Sequence, residues 1–194
     1  MAERTQSTPV VEVARQYFLN LVEHVRKEYP RVGFYPDHVH EVERWALKIL
    51  TDHPEADSEV VLLGVWFHDS GNLVGDKNID HAIRSEEYTR LILSNEKFST
   101  EKLNAVAHCV RAHRNKDVAP QTLEARIVAA ADSASHMTGD AYVPSAGMKR
   151  TITSSLGKLD RDYRDIALIP GLQEKLTPLY EAWKTLLSLY PKFD

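Results

Sequence analysis

The segment VVLLGVWFHDSGN, residues 60–72, joins an apolar run directly to two ionisable side chains. The first eight residues of the segment are almost entirely apolar, so we expect them to lie in the protein core. His68 and Asp69 follow at once, and such side chains are costly to bury unless they are paired or bind a metal. The folded chain is therefore expected to supply a partner for this pair.

Composition limits the class of protein. With 194 residues, 43% of them hydrophobic, the chain suits one globular domain. A net charge of −4 and a pI near 6.1 argue against nucleic acid as a partner, because nucleic-acid binders need excess basic residues, although a nucleotide substrate is compatible. No apolar stretch approaches about 18 residues, and MAERTQSTPV lacks the apolar core of a signal peptide, so we expect a cytoplasmic protein with no membrane association.

Residue usage also restricts the kind of metal site that the chain can form. Cys109 is the single cysteine, which excludes an intrachain disulfide and a thiolate zinc cluster. Nine histidines remain, so any bound metal must use nitrogen and oxygen ligands.

The apolar pattern predicts an all-α protein, because apolar residues recur mostly at the helical period and no internal repeat is present. Helices are predicted near residues 9–28, 37–52, 58–69, 79–95, 100–114, 121–137, 145–157 and 172–189. Residues 1–8 are predicted to be a disordered lead and residues 9–194 a single helical domain. The buried stripe of the first helix is predicted to contain Val10, Val13, Tyr17, Leu21 and Val25. KLDRDYRD, residues 158–165, is interpreted as a solvated or inter-helix charge cluster.

Position relative to the apolar stripe of each helix separates the inward-facing histidines from the others. His38 and His113 share a face with apolar residues, whereas His40 and His108 fall on polar faces of the same helices. Asp132 likewise continues the small apolar stripe of its own helix.

Taken together, these residues predict a metal site. Each candidate alone would suit an ordinary core or surface position, and His81, which begins a helix with a mixed face, gives a weaker signal. Four separate helices nevertheless end an apolar stripe in His or Asp, and convergence on a cation satisfies all of them at once. Metal is therefore the predicted partner of His68 and Asp69.

The order His38, His68-Asp69, Asp132 resembles the HD-domain superfamily of metal-dependent phosphohydrolases. HDSG is similar to the HD-I-G segment of that family, and PQTLEARIVAAADS is similar to the stretch around its last Asp. The resemblance covers about residues 34–137 and implies an HD-domain-like helical bundle, with the C-terminal helices packed on it.

The resemblance also implies a ligand set. The ligands of one metal would be His38, His68, Asp69 and Asp132. In subgroups with two metals, two further histidines lie between the HD pair and the last Asp, and His81 and His113 match those places. His108 is the alternative to His113, disfavoured by its face. His68 and Asp69 are the implied catalytic pair, with Asp69 bridging the ions and orienting the attacking water.

The same resemblance implies a divalent transition metal and a small phosphorylated substrate, possibly a nucleotide. Imidazole and carboxylate suit one or two ions of Mn, Fe, Co, Ni or Zn, whereas so many nitrogens disfavour Mg or Ca. In hydrolases of this type the metal polarises the phosphoryl oxygen and lowers the pKa of bound water. The pattern predicts no particular oligomeric state.

The sequence departs from the family pattern after HD-x-G, where many members carry a phosphate-binding Lys. Asn72 stands there and is a candidate substrate contact in place of the lysine. Lys77, Arg84, Arg111 and Arg114 are the substitutes, each with a solvated surface role as its alternative. Arg84 and Arg114 are favoured because they lie close to His81 and His113 in the sequence.

One histidine and two functions stay open at this stage. His136, one turn after Asp132, either supports the site or is a surface histidine near a helix end. The resemblance also includes mixed-valent di-iron oxygenases, which use the same six-ligand order. A non-catalytic HD module that binds a nucleotide or protein is the third alternative, although all the implied ligands are present.

Overall fold

The computed structural model describes residues 8–94, 98–143 and 151–190, and within these ranges the chain forms α-helices and no strand. The helices are α1 (Pro9–Val25), α2 (Tyr35–Asp52), α3 (Ser58–Phe67), α4 (His81–Leu93), α5 (Thr100–Ala112), α6 (Leu123–Thr138), α7 (Ile152–Asp165) and α8 (Leu172–Leu189). Short 3₁₀ turns span Pro30–Phe34, Ser70–Asn72 and Ile166–Leu168. The all-α prediction is confirmed. Residues 1–7 of the predicted lead lie outside the described residues.

Helix α3 is the central element of the bundle. It is apolar on every side, with residues 60–67 all buried, so it needs neighbours all round. It packs against α1, α2, α5 and α6. Asp57 caps its N-terminus by accepting from the backbone N–H groups of Glu59 and Val60, at 3.0 and 3.2 Å. The helix ends at Phe67, so His68 and Asp69 leave its C-terminal end, directly before the 3₁₀ turn.

Helix α6 places an acid inside the bundle. Residues 127–135 are all buried, and four of them are alanine, which lets α6 approach α2, α3 and α5 closely. Thr122 caps the helix by accepting from the Ala125 N–H at 3.2 Å. Asp132 therefore lies in the interior, where three neighbouring helices meet.

The predicted buried stripe of α1 is wrong by one helical position. Val13 and Tyr17 are 54% and 41% exposed, whereas the buried residues are Val11, Ala14, Phe18 and Val22. Both sides of this helix are apolar, so the pattern alone does not choose between them. The choice follows from packing, because Phe18 makes an edge-on contact with Trp66 of α3, with ring centroids 6.0 Å apart.

The C-terminal boundary predicted for the helix near residues 145–157 is wrong. Residues 145–150 of that prediction lie outside the described residues, and α7 runs from Ile152 to Asp165. Thr151 caps it by accepting from the Ser154 N–H at 3.1 Å. Leu159 and Asp162 of the charged stretch are buried. Because α7 packs against α6 and α8, the inter-helix interpretation of that stretch is the one observed.

Helix α8 has the predicted bounds and begins after Gly171, whose φ of 75° suits glycine. Trp183 ties α8 to α6 by donating from Nε1 to the Met137 carbonyl at 2.8 Å. Across the described ranges, the helices are all too short or too polar to cross a membrane.

Candidate metal centre

The predicted ligands converge from five segments of the chain. They are His38 of α2, His68 and Asp69 after α3, His81 at the start of α4, His113 after α5, and Asp132 of α6. A cavity of about 650 Å³ opens over them, and all of them except the buried His68 line it. The structure therefore brings together the whole set named from the sequence.

The donor atoms of His38, His68 and Asp132 form a first group in which they lie close to one another. The Nε2 atoms of His38 and His68 are 3.3 Å apart. Asp132 Oδ1 lies 3.3 Å from Nε2 of His38 and 3.7 Å from Nε2 of His68. These three side chains thus point their donor atoms at one small volume.

Asp69 stands between two sets of histidines. Its Oδ2 lies 3.7 Å from His38 Nε2 and 3.8 Å from His68 Nε2. Its Oδ1 lies 3.5 Å from His81 Nε2 and 3.9 Å from His113 Nε2. Each oxygen faces a different pair of imidazoles, which is the position of a carboxylate that bridges two ions.

Backbone carbonyls fix the orientation of the two most buried imidazoles. His68 Nδ1 lies 2.7 Å from the Val65 oxygen, and His113 Nδ1 lies 2.6 Å from the Val110 oxygen. Because a carbonyl oxygen only accepts, Nδ1 carries the ring proton in both residues. In the neutral ring, Nε2 then presents its lone pair to the other donors, as in protein metal sites.

An unsatisfied atom tests whether these residues fit a cation. Asp132 Oδ1 is buried and receives no hydrogen bond. Two ligands each about 2.1 Å from one ion are separated by roughly 3.0–3.4 Å, depending on whether the geometry is octahedral or tetrahedral. The shortest distances between donor atoms of His38, His68 and Asp132 are 3.3 Å, within this range. Nitrogen and oxygen are suitable ligand atoms for a divalent transition metal. The residues therefore fit such an ion.

Protonation in the site also suits ligands. Burial lowers the pKa of His113 to about 4, with a further contribution from His68, so His113 is neutral near pH 7. Burial raises the pKa of Asp132, but the neighbouring histidines, His136 foremost, leave it well below its ordinary value. Burial also raises the pKa of Asp69, but the neighbouring histidines, His68 foremost, leave that pKa below its ordinary value. Both carboxylates are therefore ionised.

A capping ion pair holds the second group of histidines together. Asp80 caps α4 by accepting from the Ala82 N–H at 2.9 Å, directly before His81. The same carboxylate binds Arg114 Nη1 at 2.6 Å, directly after His113. The pair thus ties the start of α4 to the end of α5 and fixes the two imidazoles relative to each other.

The predicted substrate contacts fall into two classes. Arg114 and Asn72 line the cavity, and the Asn72 amide also donates to Asp69 Oδ1 at 2.8 Å. Arg84 is only 7% exposed and donates to the carbonyls of Val74 and Ile79, so it braces the loop before α4.

The other two basic candidates do not line the cavity, and each has a partner within the protein. Lys77 donates to the Asn72 carbonyl at 2.7 Å, and Arg111 forms an ion pair with Asp117. The structure therefore does not bring Arg84, Lys77 or Arg111 into the cavity.

Two further side chains line the cavity. His136, which the sequence left open between a supporting and a surface role, lines the cavity and lies between Asp132 and Asp162. Lys158, which the sequence pattern did not indicate, also lines the cavity and pairs with Asp162 four residues later on α7. The four-residue spacing of Lys158 and Asp162 is typical of surface helices as well. His108, by contrast, lies away from the centre and accepts from the Gln121 N–H.

Fold and site together define an all-α protein with a His/Asp centre suited to a metal ion. The model of the HD domain matches residues 35–137, just over half of the chain, and the chain belongs to this family. All six converging donors lie inside the matched region. Membership of this family places the chain in a superfamily of metal-dependent phosphohydrolases. Comparison with curated proteins and comparison with solved structures each give no match.

Proposed function

We propose that the protein is a metal-dependent phosphohydrolase that cleaves a phosphoester of a small molecule, either a nucleotide or a phosphomonoester. The observation that carries this proposal is the position of Asp69, whose two oxygens face two separate pairs of imidazoles below an open cavity. Membership of the HD-domain family supports the same reaction class.

The nitrogen and oxygen donors of this site suit one or two ions of Mn, Fe, Co, Ni or Zn. His38, His68, Asp69 and Asp132 would hold the first ion, and Asp69, His81 and His113 would hold the second. When bound, such an ion polarises a phosphoryl oxygen and lowers the pKa of water, so that hydroxide is present near neutral pH.

The chain's own residues orient the reacting groups. Asn72 donates to Asp69 Oδ1 and so holds the carboxylate plane that faces the cavity. We infer that Asp69, whose other oxygen faces His38 and His68, would accept a hydrogen bond from the attacking water. The Nδ1–H bonds of His68 and His113 keep their Nε2 lone pairs directed at the centre.

The cavity sets the size and charge of the substrate. A volume of about 650 Å³ is in the range of small-molecule sites and admits a nucleotide. Arg114 and Lys158 stand on its wall and favour a phosphate, although each also has an acidic partner, Asp80 and Asp162. Arg114 is the residue we assign to the substrate phosphate, beside the second pair of histidines.

Metal analysis of protein purified without added metal or chelator is the decisive experiment. We expect one to two equivalents of a transition metal per chain, and phosphate release from a panel of nucleotides and phosphomonoesters in anaerobic buffer with Mn²⁺ or Co²⁺. Activity that depends strictly on iron and oxygen would replace the hydrolase by an oxygenase. Failure to bind metal even after reconstitution would leave a non-catalytic binding module.

A further inference from the structure

His136 reaches the same carboxylate as the ligands named above. Its Nε2 lies 3.5 Å from Asp132 Oδ1, between the 3.3 Å of His38 and the 3.7 Å of His68. Asp132 Oδ1 nevertheless receives no hydrogen bond from any of them. In spacing, His136 is therefore indistinguishable from the two histidines that flank the first ion position.

The donor atoms of His38, Asp132 and His136 form a compact group, all within 4.8 Å of one another. The His38 and His136 rings are parallel, with an interplanar angle of 7° and centroids 5.3 Å apart. Their Nε2 atoms thus approach Asp132 from stacked rings. This group shares His38 with the one formed by His38, His68 and Asp69.

A carboxylate on α7 holds the outer nitrogen of this histidine. His136 Nδ1 lies 3.2 Å from Asp162 Oδ2, and Asp162 is itself buried. The same oxygen accepts from the Tyr142 hydroxyl at 2.7 Å, which fixes the carboxylate. A proton on Nδ1 donated to Asp162 leaves the Nε2 lone pair facing Asp132, as in the carboxylate–histidine–metal arrangement of known sites.

Lys158 lies beside the same nitrogen. Its Nζ lies 3.0 Å from His136 Nδ1, and 3.1 and 3.3 Å from the two oxygens of Asp162. An ammonium donates more strongly to a carboxylate than to a neutral imidazole. In the tautomer where Lys158 donates to Asp162 alone, Nδ1 carries its own proton and Nε2 is free to bind a cation.

We propose that His136 is an additional nitrogen ligand of the ion held by His38 and Asp132, oriented by Asp162 through Nδ1. This assignment rests on the proposed metal centre. It adds a nitrogen donor to the four ligands His38, His68, Asp69 and Asp132, and so favours metals that bind imidazole well. It also gives α7 a role in metal retention.

Cobalt binding by the full chain tests this ligand. Metal-free wild type, His136→Ala and His136→Gln are titrated with Co²⁺ against a chromophoric chelator, with His24→Ala, an exposed histidine on α1, as the matched control. We expect both His136 variants to bind the Co²⁺ ion of higher affinity at least about tenfold more weakly than wild type does. The His24→Ala variant should bind Co²⁺ with the same affinity as wild type. His136→Gln preserves side-chain bulk if the alanine variant folds poorly, as far-UV circular dichroism will show.

Counting coordinated imidazoles separates a ligand from a positioning residue. Pulsed electron paramagnetic resonance of the Mn²⁺-loaded protein, with ¹⁵N-labelled histidine, should report one fewer coupled imidazole in His136→Gln. An unchanged count with weakened affinity would mean that His136 donates to Asp132 instead, and would overturn the assignment. Unchanged affinity would overturn it as well. Absence of Co²⁺ and Mn²⁺ binding by wild type would instead remove the metal centre itself.

Discussion

The Nε2 atoms of His38 and His68 lie 3.3 Å from each other, although His68 carries a proton on Nδ1, which the Val65 carbonyl holds. In the neutral ring, the Nε2 atom of His68 then carries a lone pair that points at Nε2 of His38. Such an approach is unfavourable unless a proton or a cation lies between the two atoms. The apolar helix that ends in the HD pair thus delivers a histidine whose free nitrogen needs either an N–H donor or a cation.

Asp69→Ala should abolish metal binding while leaving the helices intact. The substitution removes both oxygens that face the four histidines of the centre, so metal affinity and hydrolysis should each fall at least about a hundredfold. Asp69 lies after the end of α3 and its side chain caps no helix, so far-UV circular dichroism should be unchanged. Asp52→Ala, at an exposed carboxylate, is the control. Full activity of the Asp69 variant would contradict the assignment.

His81→Ala and His113→Ala should each remove the second ion only. Both imidazoles face Asp69 Oδ1, whereas the first group keeps its donors from His38, His68 and Asp132. The metal content measured by mass spectrometry should therefore fall from two equivalents per chain to one. His108→Ala, on the helix that ends just before His113 but bonded to the Gln121 N–H, should keep the wild-type stoichiometry. Two equivalents in both variants would mean that the second group binds no ion.

Much of the centre could be predicted from helical faces. His38 of α2 and His113, directly after α5, point inward and line the cavity, and Asp132 is buried as its apolar stripe indicates. Burial of a helix face depends on periodicity, which the sequence carries directly. The side on which each of these residues lies is therefore a local property.

The remaining contacts depend on which partners the fold supplies. Arg84 reads as a phosphate-binding residue beside His81, but the loop before α4 offers it the carbonyls of Val74 and Ile79. The sequence left the stretch that contains Asp162 open between a solvated and an inter-helix position, and α7 packs this face against α6 and buries Asp162 next to His136. The two Arg84 acceptors belong to the loop before α4, and the partner of Asp162 belongs to a different helix. The periodicity of a single helix therefore does not predict these contacts.

Gly71→Ala should destabilise the protein because the 3₁₀ turn after Asp69 packs directly on α4. A Cβ at Gly71 would lie 2.1 Å from the His81 carbonyl oxygen and 2.6 Å from the Ser85 nitrogen, both backbone atoms. We expect a loss of about 1–3 kcal/mol in the free energy of unfolding, measured by urea denaturation. Gly33→Ala, where no atom lies within 4 Å of the added Cβ, should change stability by less than about 0.5 kcal/mol. Equal stability of the two variants would show that the turn yields freely.

Asp165→Asn should stabilise the protein near neutral pH and remove one component of its pH dependence. Burial raises the pKa of Asp165 to about 6, while the Asn115 amide that donates to Oδ1 at 2.9 Å opposes this shift. The folded state therefore holds a proton that the unfolded state, with an Asp pKa of about 3.9, has already released. Its contribution to stability is full below about pH 4, is lost as the pH rises to about 6, and stays lost above that.

Urea denaturation of wild type and Asp165→Asn at equal metal loading measures this effect. The amide introduced by the substitution keeps an oxygen that can accept from Asn115 and carries no charge at any pH. The variant should match wild type near pH 4 and exceed it by about 1–3 kcal/mol at pH 7, since each unit of pKa shift corresponds to about 1.4 kcal/mol. Asp52→Asn, at an exposed carboxyl, should show no such growth. A stability difference for Asp165→Asn that stays constant between pH 4 and 7 would show that Asp165 ionises in the folded chain as readily as in the unfolded one.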